Sequence, residues 1–241
     1  MITVKSAIKK IQSNIKSTSN ELIHIKESSD RVLSDNCNSF FSNPPFNVSS
    51  MDGYACRKKD IKKLPKKLNL IGISSAGKNF MGKIKKDETV RILTGAKVPE
   101  GSDTVIIQEN TSNKTRKQII VNKLNNSTFI RKKGMDFKAN DNWTKTGFPI
   151  KIKDIALGCA MNIQKVMVKK KPNIAILSTG DELVYLGKKT KDFQIISSSS
   201  ITIKALIESF GANVIDLGIS KDNKTAINKK IKNIKNYDLL I

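Results

Sequence analysis

The stretch that most limits how this chain can fold lies after Pro172. There a short apolar run, Ile174-Ala175-Ile176-Leu177, meets a polar loop and then apolar residues at helical spacing. A continuously apolar strand is what a parallel sheet covered on both faces requires. Ile203, Leu206, Ile207 and Phe210 line one helical face, and Gly211 is placed to end that helix. Val214 to Leu217 reads as the next strand, and Asp222 is placed to cap a helix carrying Ile227, Ile231 and Ile234. Asp238 to Ile241 begins a third strand. The alternation predicts an α/β domain with a parallel sheet over residues 172–241. Because the sequence stops in a strand, this domain is read as incomplete, and the chain by itself is expected to be inactive and marginally stable.

Upstream the pattern differs. Val4, Ala7, Ile8, Ile11 and Ile15 fall at helical spacing behind Thr3, a plausible N-cap. Ser28 to Leu33 reads as a second, short helix. Asn43-Pro44-Pro45 stops regular structure, since proline lacks an amide donor and biases its predecessor to extended geometry. Strands are predicted at Leu68–Ile73, Thr89–Leu93, Thr104–Gln108 and Gln118–Val121, separated by glycine- and aspartate-bearing turns. A helix-like run spans Ile155 to Met161. The fold class is therefore a β and α/β multi-domain protein. It comprises a small β-rich domain (45–137), the partial α/β domain (172–241), and helical or linking segments (1–44 and 138–171).

Composition narrows the function classes. No apolar run approaches the ~18 residues of a membrane span, and Met1 to Lys10 lacks a signal-peptide core. A cytoplasmic location is the default expectation. Three scattered cysteines, Cys37, Cys56 and Cys159, and one histidine, His24, argue against a zinc site. The net charge of +23 favours anionic partners. Yet aromatics are only 5%, only five of the 44 basic residues are arginine, and the lysines are dispersed, so no nucleic-acid partner is expected.

Four segments carry chemistry. In Met51-Asp52-Gly53-Tyr54-Ala55, Asp52 beside a glycine suits either a site or a turn in which the carboxylate bonds its own backbone. Arg91-Ile92-Leu93-Thr94-Gly95-Ala96 ends a strand in a hydroxyl and amides that suit an oxyanion, although hairpin turns look alike. In Ile130-Arg131-Lys132-Lys133-Gly134-Met135-Asp136, Asp136 follows a glycine turn. The fourth, Ser178-Thr179-Gly180-Asp181-Glu182-Leu183, follows a buried strand, and ligands of open α/β sheets bind at the carboxyl ends of strands. Ser178, Thr179 and the Gly180 amide can approach phosphate, and the carboxylates would then need a bridging Mg²⁺. Asp222 falls at the same sheet edge, where capping is its competing role.

In order and over nearly the whole chain, these segments resemble the MoeA family of molybdopterin molybdenumtransferases, which includes the E domain of gephyrin. The match runs through Met51–Ala55, Arg91–Ala96 with Pro99–Asp103, Val105–Glu109, Ile130–Asp136 and Ser178–Leu183. The resemblance implies a cytoplasmic homodimer with its active site between subunits. It further implies that molybdate is inserted into adenylylated molybdopterin with Mg²⁺ and release of AMP, with the molybdopterin adenylyltransferase as a candidate partner. Functional positions carry over onto Asp52, Thr94, Asp136, Glu182 and Asp222, with Glu182 and Asp222 toward metal or nucleotide and the other three across the dimer cleft. Two departures stand out. Ser197-Ser198-Ser199 replaces the family's Asp-Ser-Asn, and the family's Ser-Gly-Gly loop and lysine-bearing segments would lie beyond Ile241. A non-catalytic binding or scaffold protein of the same fold is the competing reading.

Overall fold

The computed structural model describes residues 2–241. The elements of the first part are α1 (Val4–Asn14), β1 (Asn20–His24), β2 (Val48–Ser49), β3 (Gly53–Cys56), β4 (Lys66–Ser74), β5 (Glu88–Ile92), β6 (Thr104–Ile107), β7 (Thr111–Thr115), β8 (Gln118–Val121) and β9 (Ile130–Arg131). There follow α2 (Ile152–Ala160), β10 (Lys165–Lys169), β11 (Asn173–Thr179), β12 (Leu183–Val184), β13 (Ile195–Ile196), α3 (Ser199–Ser209), β14 (Asn213–Ser220), α4 (Lys224–Lys232) and β15 (Leu239–Leu240). They divide into two compact units, one of residues 38–142 and one formed by the segments up to Cys37 and from Trp143 onward.

The 38–142 unit is built on a six-stranded sheet of order β6-β3-β5-β4-β8-β7. All its pairs are antiparallel except β4 with β5. Side chains alternate between faces with the strand period of two. Tyr54, Cys56, Leu68, Ile106, Ile119 and Val121 therefore fill one core, and Ala55, Val90, Ile92 and Val105 fill a second on the opposite face. Each such apolar side chain contributes roughly 1.5–3 kcal/mol on burial. β3, between β5 and β6, is buried along its whole length. The four predicted strands of this region are present as β4, β5, β6 and β8.

The other unit joins β1 antiparallel to β10, and a parallel three-stranded sheet has the order β14-β11-β15. α3 lies against β11 and β14, and inserts Ile207. Leu206 and Phe210, expected on the same buried face, are exposed. Thr3 caps α1 as expected, its hydroxyl accepting from the Ser6 amide at 3.2 Å.

Two local expectations need correction. Ser28 to Leu33 is not helical: a 3-10 turn spans Ile25–Glu27, and Val32 and Leu33 bridge to Pro149 and Val168. Leu33 is fully buried there, so distant backbone pairing and burial override a weak local helical pattern. At α4, the N-cap is Asn223 and not Asp222, its side chain accepting from the Ala226 amide at 2.9 Å. The neighbouring Asp222 is left exposed.

Candidate active site

In the β-rich unit, Ser49 organises three of the chemistry-bearing segments. Its amide donates to the Ala96 carbonyl at 3.0 Å, its carbonyl accepts from Gly95 at 2.8 Å, and on its other side it pairs with Ile130. Asp52 follows three residues later. Its carboxylate does not close its own turn. It accepts from both the amide of Thr94, at 2.7 Å, and the Thr94 hydroxyl, at 2.8 Å. These two bonds, together with the Arg91 guanidinium, hold the Asp52 carboxyl below the usual aspartate range.

Of the two readings open for Thr94-Gly95, an oxyanion mouth or a turn, the hydrogen bonds favour the turn. Asp52 occupies the Thr94 donors, and Ser49 takes the Gly95 amide. Sequence reasoning also missed the flanking partners. Arg91 lies 4.9 Å over the Tyr54 ring and donates to Gln108 at 2.6 Å. Asp136 makes no bond to the Asp52–Thr94 pair; it is bonded to Arg131 at 2.6 Å and to the Asn43 amide group at 3.2 Å. The Arg-to-Asp spacing within Ile130–Asp136 was the available signal for that ion pair.

In the other unit, Ser178, Thr179 and Gly180 leave the carboxyl end of β11 beside the carboxyl end of β14. Ser178 pairs with Ile219 and Thr179 with Ser220. The Gly180 amide is not free for a phosphate, since it donates to the Ser220 carbonyl at 3.1 Å. The Ser178 and Thr179 hydroxyls have no partner among the described residues. The Glu182 carboxylate folds back over Gly180, its oxygens within 2.8 Å of where a β-carbon on that residue would stand. Two residues beyond Ser220, Asp222 is exposed, and neither its carboxylate nor that of Glu182 has a hydrogen-bond or ion-pair partner among the described residues. Lys221, Lys229 and Lys230 line an open groove of about 500 Å³ between β14 and α4. Ser198 stands at the N-cap of α3 without a side-chain cap bond, while buried Ser197 donates its amide to Val184 at 2.9 Å.

Among the described residues no three His, Cys, Asp or Glu side chains converge as a metal cage. Mg²⁺ needs only one or two protein carboxylates, the rest of its shell being water and phosphate. Glu182 and Asp222 are two such unspent carboxylates on neighbouring strand ends.

Residues 2–161 match the family model described as the MoeA N-terminal region, domains I and II. The chain belongs to the MoeA family. Residues 175–241 of this MoeA-family chain match a second model, described as a probable molybdopterin binding domain. Similar curated proteins are named molybdopterin molybdenumtransferase. One from Nostoc sp. is 32% identical over 226 residues, covering 92% of this chain and 52% of the relative. One from Haemophilus influenzae is 33% identical over 221 residues, covering 88% and 52%. Two crystal structures titled as the molybdopterin biosynthesis MoeA protein of Pyrococcus horikoshii superpose with TM-scores of 0.83 and 0.87. They are 30% and 26% identical, with 96% and 100% of this chain covered, and 60% and 65% of theirs. The chain spans about half the length of the curated relatives it matches. No helix among the described residues is long and apolar enough to cross a membrane.

Proposed function

We propose that the complete protein is a molybdopterin molybdenumtransferase. It would insert molybdate into adenylylated molybdopterin and release AMP, acting as a cytoplasmic, Mg²⁺-dependent homodimer, with the molybdopterin adenylyltransferase as a candidate partner. The observation that carries this reading is the edge of the parallel sheet. Two unpaired carboxylates, Glu182 and Asp222, flank free Ser178 and Thr179 hydroxyls beside a lysine-lined groove, in a chain of the MoeA family.

A phosphoanhydride is polyanionic, so carboxylates next to it are unfavourable unless a cation lies between them. Glu182 and Asp222 would hold Mg²⁺. When bound, that ion supplies charge neutralisation of the phosphates and of the leaving AMP. The Ser178 and Thr179 hydroxyls would orient phosphate oxygens, and Lys221, Lys229 and Lys230 would draw in the anion. Asp52 stays ionised at neutral pH because Thr94 and Arg91 favour its charged form. It therefore acts as a hydrogen-bond acceptor that fixes the Thr94 mouth. Asp136, held by Arg131 and Asn43, is assigned a substrate-orienting role. The test is AMP release by the purified complete protein from adenylylated molybdopterin with molybdate. Release that stops when EDTA is added and returns with excess Mg²⁺ is expected. A protein that binds adenylylated molybdopterin and never releases AMP would make it a non-catalytic binding protein.

A further inference from the structure

β14 is irregular at one point. Ile176 pairs with Asp216, but Ser178, two residues on, pairs with Ile219, three residues on, so β14 carries an extra residue. A bulge leaves backbone groups outside the ladder, and each needs another partner. Three successive groups here are met by side chains. The Gly218 amide donates to Asp216 Oδ1 at 2.8 Å, the Leu217 carbonyl accepts from Lys230 Nζ at 2.6 Å, and the Ile219 amide donates to the Tyr185 hydroxyl at 3.1 Å. Gly218 adopts φ 71°, and a β-carbon there would lie 2.5 Å from the Tyr185 oxygen. Gly218 thus supplies both the left-handed φ of the bulge and the space in which the Tyr185 hydroxyl sits.

Tyr185 comes from outside the sheet. It stands three residues after Glu182, at the start of the loop between β12 and β13, and its ring is largely exposed. Its position therefore owes more to the hydrogen bond than to burial. The same loop is anchored at its other end, where the Ile195 amide donates to the Glu182 carbonyl at 2.9 Å. Beyond the bulge, β14 runs only to Ser220, whose carbonyl holds the Gly180 amide, before reaching Asp222. We propose that Tyr185 is a positioning residue. Its hydroxyl ties the segment that runs on from Glu182 through β12 to the bulged end of the strand that leads to Asp222, and so fixes the spacing of the two carboxylates. The role of that spacing in holding a divalent ion rests on the function proposed above.

The test compares wild type, Tyr185→Phe and Glu182→Gln in the complete protein. Tyr185→Phe keeps the ring and removes only the acceptor. Two readouts are needed: hydrogen–deuterium exchange of segments 178–184 and 216–222, and Mn²⁺ binding with AMP present, followed by electron paramagnetic resonance. Losing one hydrogen bond should speed exchange in both segments and weaken Mn²⁺ binding, each by about fivefold. Glu182→Gln should weaken Mn²⁺ binding without faster exchange at 216–222. Faster exchange confined to 216–222 with unchanged Mn²⁺ affinity, or no change in exchange at all, would overturn the proposal. If wild type binds no Mn²⁺ while Tyr185→Phe still loosens both segments, the tie stands and the metal-holding reading falls.

Discussion

Asp60 offers a quantitative check on how the β-rich unit is held. Its carboxylate is nearly buried, with 5% of the side chain exposed, and it accepts three bonds. Two come from Arg57, at 2.9 and 2.7 Å, and one from the Asp87 amide at 3.0 Å. Asp60→Asn keeps the shape but removes the charge and turns one acceptor into a donor facing other donors. Leaving a charged donor without its acceptor costs ~1.5–3 kcal/mol. Arg57 keeps 20% of its side chain exposed, so the upper end does not apply. About 2 kcal/mol corresponds to a roughly 30-fold change in the opening equilibrium. Native-state hydrogen exchange of the β3 and β5 amides, with both proteins compared at the same pH, should show that acceleration at pH 7. The Arg57 bonds also lower the Asp60 pKa. The stabilisation is thus present above the unfolded-state value and is lost as pH falls through the lower folded value. The difference between variant and wild type should therefore shrink once pH drops below the folded value. Acceleration of less than about fivefold at pH 7, roughly 1 kcal/mol, would refute the reasoning.

Two further outcomes follow from local geometry. Thr94→Val removes the hydroxyl bond to Asp52 and leaves the amide bond, so the Asp52 pKa should rise toward the ordinary aspartate value in a carboxyl ¹³C titration; an unchanged value would show that the hydroxyl contributes nothing. Burial, followed by the charges of Asp103 and Asp60, pushes the Cys56 thiol up to about 12, whereas Cys159 is exposed. Iodoacetamide at pH 8 should then label Cys159 and spare Cys56 by mass spectrometry, and rapid labelling of Cys56 would mean that the β3 core opens readily.

Elements with a regular apolar pattern were legible in the sequence. α1 shows through its spacing and its Thr3 cap, and β11 through the continuous apolar run that a covered parallel strand needs. β3 was hidden because it is only four residues long and starts at Gly53, directly after an aspartate, so that Asp52-Gly53 reads as a turn. Leu33 was misread for a related reason, since its partners Phe148 and Val168 lie more than a hundred residues away. In the candidate site, the residue types and their placement at strand ends could be read from the motifs. Which donors were already spent could not. The Asp52–Thr94 bonds span 42 residues, and the Gly180 amide is taken by a carbonyl on another strand. The choice of Asn223 over Asp222 as the α4 cap depends on a one-residue phase that adjacent capping residues leave open.

The central claim is that the carboxylates at the edge of the parallel sheet serve AMP release and not stability. Its most direct measurement is steady-state AMP release from adenylylated molybdopterin by the complete protein carrying Glu182→Gln, with the melting temperature recorded on the same sample. Glu182 is exposed and its carboxylate has no bonded partner among the described residues, so the substitution should shift stability by less than ~0.5 kcal/mol. AMP release should fall at least about a hundredfold, as when one electrostatic contact to a developing charge is lost. Release at the wild-type rate with an unchanged melting temperature would remove Glu182 from the reaction and contradict the account.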